Sequence, residues 1–193
     1  MSTTTAEATA GPGPATGTQM TTAQGLARVR ELGAADKWLA LLVTQRGAGT
    51  DPSVSLVNAG VLPHPGTGEP VVAFVARGAT AKLANLRARP RATLVFRAGW
   101  EWIAVRGPVQ LAGPDDPLPG VTDGADDRLR VLLRDVYTAA GGSHPDLAEY
   151  DRAMAADRRT AVLLVPERFT TNPPGAEHVE PADVAPQEKD SDR

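Results

Sequence analysis

The stretch RGATAKLANLRARPRATLVF, residues 77–96, contains a Gly-bearing loop, a short helix and a hydrophobic strand. Thr80 is a residue type that favours the N-cap of a helix, and Leu83 with Leu86 gives that helix an apolar stripe. Lys82 lies in the first turn, where the helix dipole favours acidic side chains. An anion such as phosphate, bound by free backbone N–H groups, the Thr80 hydroxyl and Lys82, would explain this placement. A solvated surface lysine is the alternative.

Positive charge is concentrated in one part of the chain. Residues 77–106 hold seven basic residues against Glu101 alone, a net charge of +6, whereas the whole chain carries −3. The remainder therefore carries −9, and such clustering indicates an anionic ligand. Nucleic acid is a weaker candidate, because the rest of the chain is acidic and the basic segment has few aromatic residues besides Trp100 and Trp102.

The length of 193 residues suits one domain, which we place at residues 25–173. Residues 1–24 are rich in Thr, Ala, Gly and Pro, and residues 174–193 are acidic and have no apolar periodicity. This composition predicts two disordered tails. The absence of cysteine excludes disulfides, thiolate metal sites and a Cys nucleophile.

Several other classes of protein and site are disfavoured by missing patterns. The N-terminal segment lacks the basic and apolar regions of a secretory signal, and no apolar run approaches bilayer length, so we expect a cytoplasmic protein without membrane contact. His64, His144 and His178 are scattered in loops, which predicts no metal site. No P-loop, serine nucleophile motif or dinucleotide-binding glycine fingerprint occurs.

The pattern of apolar residues predicts a mainly β, or α+β, fold. Helices are expected around Leu26–Leu32, at 80–89 and around Leu129–Val136, with a fourth helix capped by Ser143. The predicted strands are 37–44, 54–62, 70–76, 92–97, 100–111 and 161–165. Six short strands with Gly/Pro turns, one short helix and one helical insertion favour a small antiparallel barrel, closed or half-open.

The order of these motifs resembles the pyridoxamine 5′-phosphate oxidase-like split-barrel flavoproteins, in particular the actinobacterial branch that uses the deazaflavin coenzyme F420. The resemblance rests on VSLVNAGVLPHPGTGEPVVAFVARG (54–78), TAKLANLRARPRATLVF (80–96) and WEWIAVRG (100–107). It implies a six-stranded antiparallel split β-barrel, of the FMN-binding type, with short helices. It also implies a homodimer with the cofactor at the subunit interface.

The resemblance assigns cofactor-binding positions by matching motif to motif. Thr80 and Lys82 match the residues that bind the cofactor phosphate, and Asn85 belongs to the same motif. On the second and third strands the resemblance is looser: Ser55, Val57 and Asn58 would lie along the ring system, and Val75, Ala76 and Arg77 beside the ribityl or phosphate portion. The flavin-using oxidases usually have an Arg beside the lysine, where this chain has Ala81, which argues against a tightly held FMN and against pyridoxamine phosphate as the substrate.

Three of the candidate residues also have purely structural interpretations. Trp100 and Trp102 are two apart on a predicted strand, so their rings would share one face and could form a wall of a flat aromatic site. Packing in the barrel core or in a dimer interface is the alternative for this pair. Asn58 could instead hydrogen-bond a turn or bulge near Gly60.

The predicted function is hydride transfer between reduced F420 and a small electron-poor organic substrate. The cofactor carries the chemistry in such a reaction and the protein supplies placement and charge, so the absence of a recognisable catalytic triad is no obstacle. No catalytic residue can be assigned. An FMN-dependent oxidoreductase is one alternative, and a non-catalytic protein that binds flavin, deazaflavin or haem is another.

Overall fold

The computed structural model describes residues 20–46, 51–122 and 126–172, except the side chain of Asp126. Nearly all of the two predicted tails lies outside these residues. The described helices and strands are α1 Thr22–Ala35, β1 Leu39–Gln45, β2 Pro52–Pro63, β3 Pro70–Ala76, α2 Ala81–Ala88, β4 Arg91–Ala98, β5 Glu101–Ala112, α3 Asp126–Ala139, α4 Leu147–Ala156, β6 Thr160–Leu164 and β7 Arg168–Thr171. No helix in these segments is long and apolar enough to cross a bilayer.

Six of the strands form a closed antiparallel barrel. The order β1-β2-β3-β6-β5-β4 closes on itself because β4 also pairs with β1. This confirms the predicted six-stranded antiparallel barrel with short helices. The sequence did not predict β7, which pairs with β5 outside the barrel, from Ile103↔Thr171 to Arg106↔Arg168.

Two long strands carry the chain from one half of the barrel to the other. The first part of β2 pairs with β1 and its last part, from Ala59 onward, pairs with β3. Likewise β5 pairs with β6 only from Val109 onward. Gly107 lies just before this change, and a Cβ atom there would come within 1.8 Å of the Val165 carbonyl oxygen. A residue without a side chain is therefore required for the close approach of the two backbones.

The barrel interior contains the main core. Phe74, Phe96, Leu42 and Ile103 are fully buried in it, because alternate residues of each strand point inward. Helix α1 contributes Leu26, Val29 and Leu32 to this cluster, and helix α2 contributes Leu83 and Leu86. The predicted buried stripes of both helices are confirmed.

A second core lies outside the barrel, under α3. It contains outward-pointing residues of β2, β3 and β6, and we call this side of the barrel the covered face: Leu62, Val71, Ala73, Ala161 and Leu163. Helix α3 packs on it with Leu132, Leu133 and Val136. Gly60 permits the contact, since a Cβ atom there would come within 2.0 Å of the Ala139 carbonyl oxygen.

The opposite outer side of the barrel is apolar too, but the described part of the chain leaves it exposed. We call it the open face: Leu41, Val43, Val54, Leu56 and Val95. Leu41 lies between Leu56 on one side and Val95 on the other, and Val43 lies opposite Val54. Leu41 is 40% exposed, and Val54 and Leu56 are each 59% exposed. An apolar patch of this kind marks an interaction surface.

Four local predictions need correction. The first strand begins at Leu39 rather than residue 37, because Lys37 (φ 53°) and Trp38 (φ 60°) are left-handed. Ser143 does not cap α4: the Asp146 carboxylate does, accepting the N–H groups of Ala148 and Glu149 at 2.8 and 3.1 Å. Helix α1 begins at Thr22, before the domain boundary predicted at residue 25. Trp100 lies in the β4–β5 turn and not on a strand.

Candidate functional site

A cleft of about 430 Å³ lies between the β2–β3 edge of the barrel and the α3–α4 pair, and we call it the main cleft. Its walls combine apolar and aromatic side chains with a few polar groups. The lining residues are Lys37, Asn58, Val75, Val136, Tyr137, Ala140, Gly141, Gly142, Tyr150, Met154 and Arg159. Two of the residues predicted from the sequence, Asn58 and Val75, meet here.

Asn58 is positioned at the point where β2 leaves β1. Its side-chain amide donates to the Lys37 carbonyl oxygen at 3.0 Å, and the next N–H, of Ala59, donates to the Trp38 carbonyl oxygen at 2.9 Å. The amide therefore fixes the left-handed Lys37–Trp38 turn rather than a turn near Gly60. None of the described residues donates a hydrogen bond to the Asn58 side-chain oxygen, which is free to accept one from a ligand.

Trp38 packs its indole ring against two glycines beside the main cleft. Added Cβ atoms would come within 2.8 Å of its indole ring at Gly33 of α1 and within 2.4 Å at Gly141, just beyond α3. The ring thus packs between a glycine of α1 and a glycine of the loop that follows α3. Sequence reasoning treated Trp38 as part of an apolar strand. Glycines so far apart in sequence gave no signal that they would meet on one indole.

The aromatic wall of the main cleft is a tyrosine pair. The ring centroids of Tyr137 and Tyr150 are 4.7 Å apart. The Tyr150 hydroxyl donates to the Leu133 carbonyl oxygen at 3.1 Å, and the Tyr137 hydroxyl to the Ser143 carbonyl oxygen at 2.9 Å. Burial raises the pKa of Tyr150 to about 12, and the neighbouring Tyr137 adds to the effect. The pair therefore offers ring surface, while both hydroxyl protons are bound to the backbone.

The loop from β3 to α2 is tied to the cleft through Asp157. One carboxylate oxygen of Asp157 lies 3.0 Å from Arg77, and the other lies 2.8 Å from Arg159, a cleft residue. The backbone N–H of Gly78 also donates to the Asp157 carbonyl oxygen at 3.1 Å. Two cations and one backbone N–H thus converge on a single residue at the end of α4.

The start of α2 differs from the prediction in one respect. Thr80 is at the N-cap position, but its hydroxyl makes no capping hydrogen bond and instead donates to the Arg77 carbonyl oxygen at 2.9 Å. The N–H groups of Ala81 and Lys82 donate to no acceptor among the described residues, nor does Lys82 form an ion pair with any of them. Two helix N–H groups and one ammonium remain available to an anion.

The other predicted residues are placed away from the main cleft. Asn85 is buried and donates to the Thr44 hydroxyl at 3.1 Å, and Ala76 is in the barrel core. Ser55 and Val57 lie opposite inward-pointing Leu42 and Ala40, so their side chains point away from the outer surface.

Trp100 and Trp102 do not lie on one face of a strand, as their spacing had predicted. Trp100 is 61% exposed in its turn, whereas Trp102 is half-buried on β5. The Trp102 backbone N–H donates to the Asn172 side-chain oxygen at 3.2 Å. Neither ring lines the main cleft, so any role in cofactor binding would have to involve another surface.

The basic segment is partly neutralised by acidic residues from elsewhere in the chain. Besides the Arg77–Asp157 pair, Arg87 binds Asp116 at 2.7 Å and Arg91 pairs with Glu167. The Arg91 guanidinium lowers the pKa of the Glu167 carboxyl. The inference that the whole segment serves an anionic ligand was therefore too broad, because Arg77, Arg87 and Arg91 form ion pairs with carboxylates of the described residues.

Part of the same segment lines a second, larger depression. Arg89, Arg91 and Arg106 lie around a cleft of about 870 Å³ at the end of β1, and we call it the basic cleft. Arg89 donates to the Gln45 side-chain oxygen at 2.7 Å. Cationic side chains thus lie at two separate places, the start of α2 and this cleft.

No protein-family model matches the chain. Among solved structures, a conserved hypothetical protein from Mycobacterium tuberculosis is 16% identical with a TM-score of 0.55, over 86% of this chain and 94% of that one. A pyridoxamine 5′-phosphate oxidase-related, FMN-binding protein from Nostoc punctiforme is 15% identical with a TM-score of 0.52, over 79% and 84%. A protein of unknown function from Agrobacterium tumefaciens is 15% identical with a TM-score of 0.49 over 82% of this chain, which spans only 61% of that protein. The chain is therefore similar in fold to the pyridoxamine 5′-phosphate oxidase-related split barrels.

Proposed function

We propose that this chain is an F420-dependent oxidoreductase, which transfers a hydride between the reduced deazaflavin and a small electron-poor organic substrate. The observation that carries the proposal is the pairing of a flat-walled cleft with an unneutralised cation. The main cleft has an aromatic wall, and the adjoining loop leads to Lys82 and to two helix N–H groups that have no acceptor in the described part of the chain. A planar ring attached to a phosphate has matching requirements.

The main cleft has the size and chemistry that such a cofactor needs. Its volume of about 430 Å³ falls within the usual range of roughly 300 to 1,000 Å³ for small-molecule sites. The ring would lie against Val75 and the tyrosine pair, and the free oxygen of Asn58 would accept a ring N–H. Lys82 and the N–H groups of α2 would bind the phosphate, with Thr80 contributing once its hydroxyl rotates from the Arg77 carbonyl.

When bound, the deazaflavin would supply the hydride and the protein would supply placement. Tyr137 and Val136 would exclude water from one side of the cleft, which would strengthen the hydrogen bond between the Asn58 amide and the Lys37 carbonyl oxygen. Neither tyrosine is suited to donate a proton, because both hydroxyls are bound to carbonyl oxygens and the Tyr150 pKa is raised to about 12. The proton that accompanies reduction would then come from solvent.

The active form would be a homodimer with the cofactor at the subunit interface. A second copy covering the open face would bury Leu41, Val54 and Leu56, whose exposure is otherwise unfavourable. Leu56 and Asn58 point to the same outer side of β2. The main cleft therefore opens beside the open face, and residues of the partner subunit would complete its rim.

An FMN-dependent oxidoreductase is the second candidate, supported by the FMN-binding protein with the same fold. F420 has a longer tail with a phosphate and carboxylates, and the basic cleft offers Arg106 for such a group. FMN would use the α2 start alone. A non-catalytic haem protein is less well supported, because both ring nitrogens of buried His64 are engaged by Gln110, Gly66 and Thr67.

Purification from a host that makes both cofactors tests the proposal. We expect F420 to co-purify, identified by its absorption and mass, and its reduced form to support reduction of cyclohexenone. Bound FMN with turnover would select the flavin alternative. Binding of either cofactor without hydride transfer to any activated alkene would indicate a carrier protein and overturn the oxidoreductase assignment.

A further inference from the structure

A second cleft adjoins the main cleft and has no role in the function proposed above. It has a volume of about 390 Å³ and lies between α3 and α4, and we call it the α3–α4 cleft. Its apolar lining residues are Pro114, Leu129, Leu133, Met154 and Ala155. Concave apolar surface of this size is typical of a small-molecule site.

The two clefts are neighbours because they share two side chains. Met154 and Arg159 line both of them, so these residues form the partition between the aromatic wall and the apolar groove. Methionine is unbranched and can change rotamer at low cost. A ligand in the α3–α4 cleft could therefore extend past Met154 to the site that the cofactor ring would occupy.

The charges around the α3–α4 cleft leave one cation available. Asp151 is bound by Arg130 at 3.5 Å and more closely by Arg134, and Arg159 is bound by Asp157 at 2.8 Å. Arg152, which also lines the cleft, forms no ion pair or hydrogen bond with the residues that the structure describes. An apolar groove with an uncommitted guanidinium at its rim complements an amphipathic anion.

We propose that the α3–α4 cleft binds an amphipathic acid, whose apolar part lies against Leu129 and Leu133 and whose carboxylate pairs with Arg152. This assigns a substrate class to the site: an unsaturated organic acid whose reducible carbon atoms lie near Met154. The role as substrate site rests on the proposed function. The binding of an amphipathic acid in this cleft is independent of the proposed function.

The binding test uses octanoate and its uncharged analogue 1-octanol, titrated by calorimetry against the full chain without cofactor. We expect octanoate to bind about two- to five-fold more tightly than octanol, a difference typical of one exposed charge pair. Arg152→Gln should remove this preference and leave octanol binding unchanged. Arg30→Gln, which alters an exposed arginine on α1, is the control and should preserve the preference.

A matched pair of tryptophan substitutions locates the site. Ala153 and Ala155 are both exposed alanines on α4, but only Ala155 lines the cleft. Ala155→Trp should fill the groove and weaken octanoate binding about ten-fold or more, whereas Ala153→Trp should leave it within about two-fold. Equal affinity in the two variants would overturn the inference, as would an octanoate affinity no greater than that of octanol.

A competition experiment separates this inference from the proposed function. With cofactor bound, octanoate should inhibit cyclohexenone reduction competitively, and Ala155→Trp should relieve the inhibition without changing cofactor affinity. Inhibition that is not competitive would overturn the substrate role. If no cofactor binds but octanoate still distinguishes Ala155→Trp from Ala153→Trp, the proposed function fails and the acid site stands.

Discussion

The two outer sides of the barrel are both apolar, but α3 covers only one of them. On the covered face, Ala73 and Leu163 lie under α3 and are fully buried. On the open face, Leu41 and Leu56 remain 40% and 59% exposed. Strands that are apolar on both sides require a cover on both. The helical insertion between β5 and β6 covers one side, and the proposed second subunit would cover the other.

The difference also shows why a site can form where the two faces meet. Strand β2 runs along both, with Leu56 on the open face, Gly60 under α3, and Asn58 between them. A helix that ends there leaves a gap between its last turn and the strand. The main cleft is this gap, so the insertion that completes one core also forms a wall of the candidate cofactor site.

The strongest test of the comparison is to place a charge on the open face. Leu41→Glu should dissociate the proposed dimer, because a symmetric interface would bury two unpaired carboxylates at a cost of about 4 kcal/mol each. Light scattering coupled to gel filtration measures the result. Leu147→Glu, at a similarly exposed position in the first turn of α4, is the control and should remain dimeric. An unmodified chain that is monomeric at micromolar concentration would contradict the dimer directly.

One added methyl group should disrupt the packing of α3 on the covered face. Gly60→Ala would place its Cβ within 2.0 Å of the Ala139 carbonyl oxygen, and α3 would have to shift, lowering the free energy of unfolding by about 3 kcal/mol. Urea titration followed by circular dichroism measures this change. Gly66→Ala, whose added Cβ would lie 3.2 Å from a Val121 methyl group, should cost less than about 1 kcal/mol. Similar losses in the two variants would show that α3 does not rest on Gly60.

At the start of α2, replacement of Lys82 distinguishes an anion-binding site from a solvated surface lysine. Lys82→Ala should weaken F420 binding by about 2 kcal/mol through loss of a charge-assisted hydrogen bond, with little change in fold stability. Fluorescence titration with F420 measures the affinity. Arg30→Ala on α1 should have no such effect, and an unchanged affinity in Lys82→Ala would remove Lys82 from the phosphate site.

The smallest expected effect concerns the packing of α3 against α4. The pKa of Tyr150 is about 12 in the folded chain against 10.0 ordinarily, so the unfolded chain loses this proton first and stability falls as pH rises above 10. Tyr150→Phe should reduce the loss of unfolding free energy between pH 9 and 11 by about 1 kcal/mol. Denaturant titrations at the two pH values provide the comparison. An identical loss in both proteins would mean that the phenol is not buried in solution.

Much of the fold could be predicted because local chemistry and tertiary structure agree there. Strand β3 spans Pro70–Ala76 as expected, and α1 buries Leu26, Val29 and Leu32 as their spacing indicated. In these segments, apolar periodicity decides both the secondary structure and the buried side. The strand pattern favoured a small antiparallel barrel, closed or half-open, and the family resemblance implied the six-stranded split barrel.

The features that were not predicted occur where residues distant along the chain decide the local structure. Trp38 was predicted to be a strand residue, but its backbone is left-handed and its ring packs against Gly33 and Gly141. Strand β7 is too short to have an apolar period of its own and exists by pairing with β5. The ion pair of Arg77 with Asp157, 80 residues further along the chain, likewise had no signal in the local sequence.

The sequence by itself determined the strands, the buried stripes of the helices and the unusual cation in the first turn of α2, because these depend on residues close together along the chain. Tertiary structure alone decided which face of the barrel is covered, which arginines are neutralised, and that Asn58, Val75 and the tyrosine pair line one cleft. Such relations depend on contacts between elements far apart in sequence, and hydrophobic periodicity contains no information about which partner an element meets.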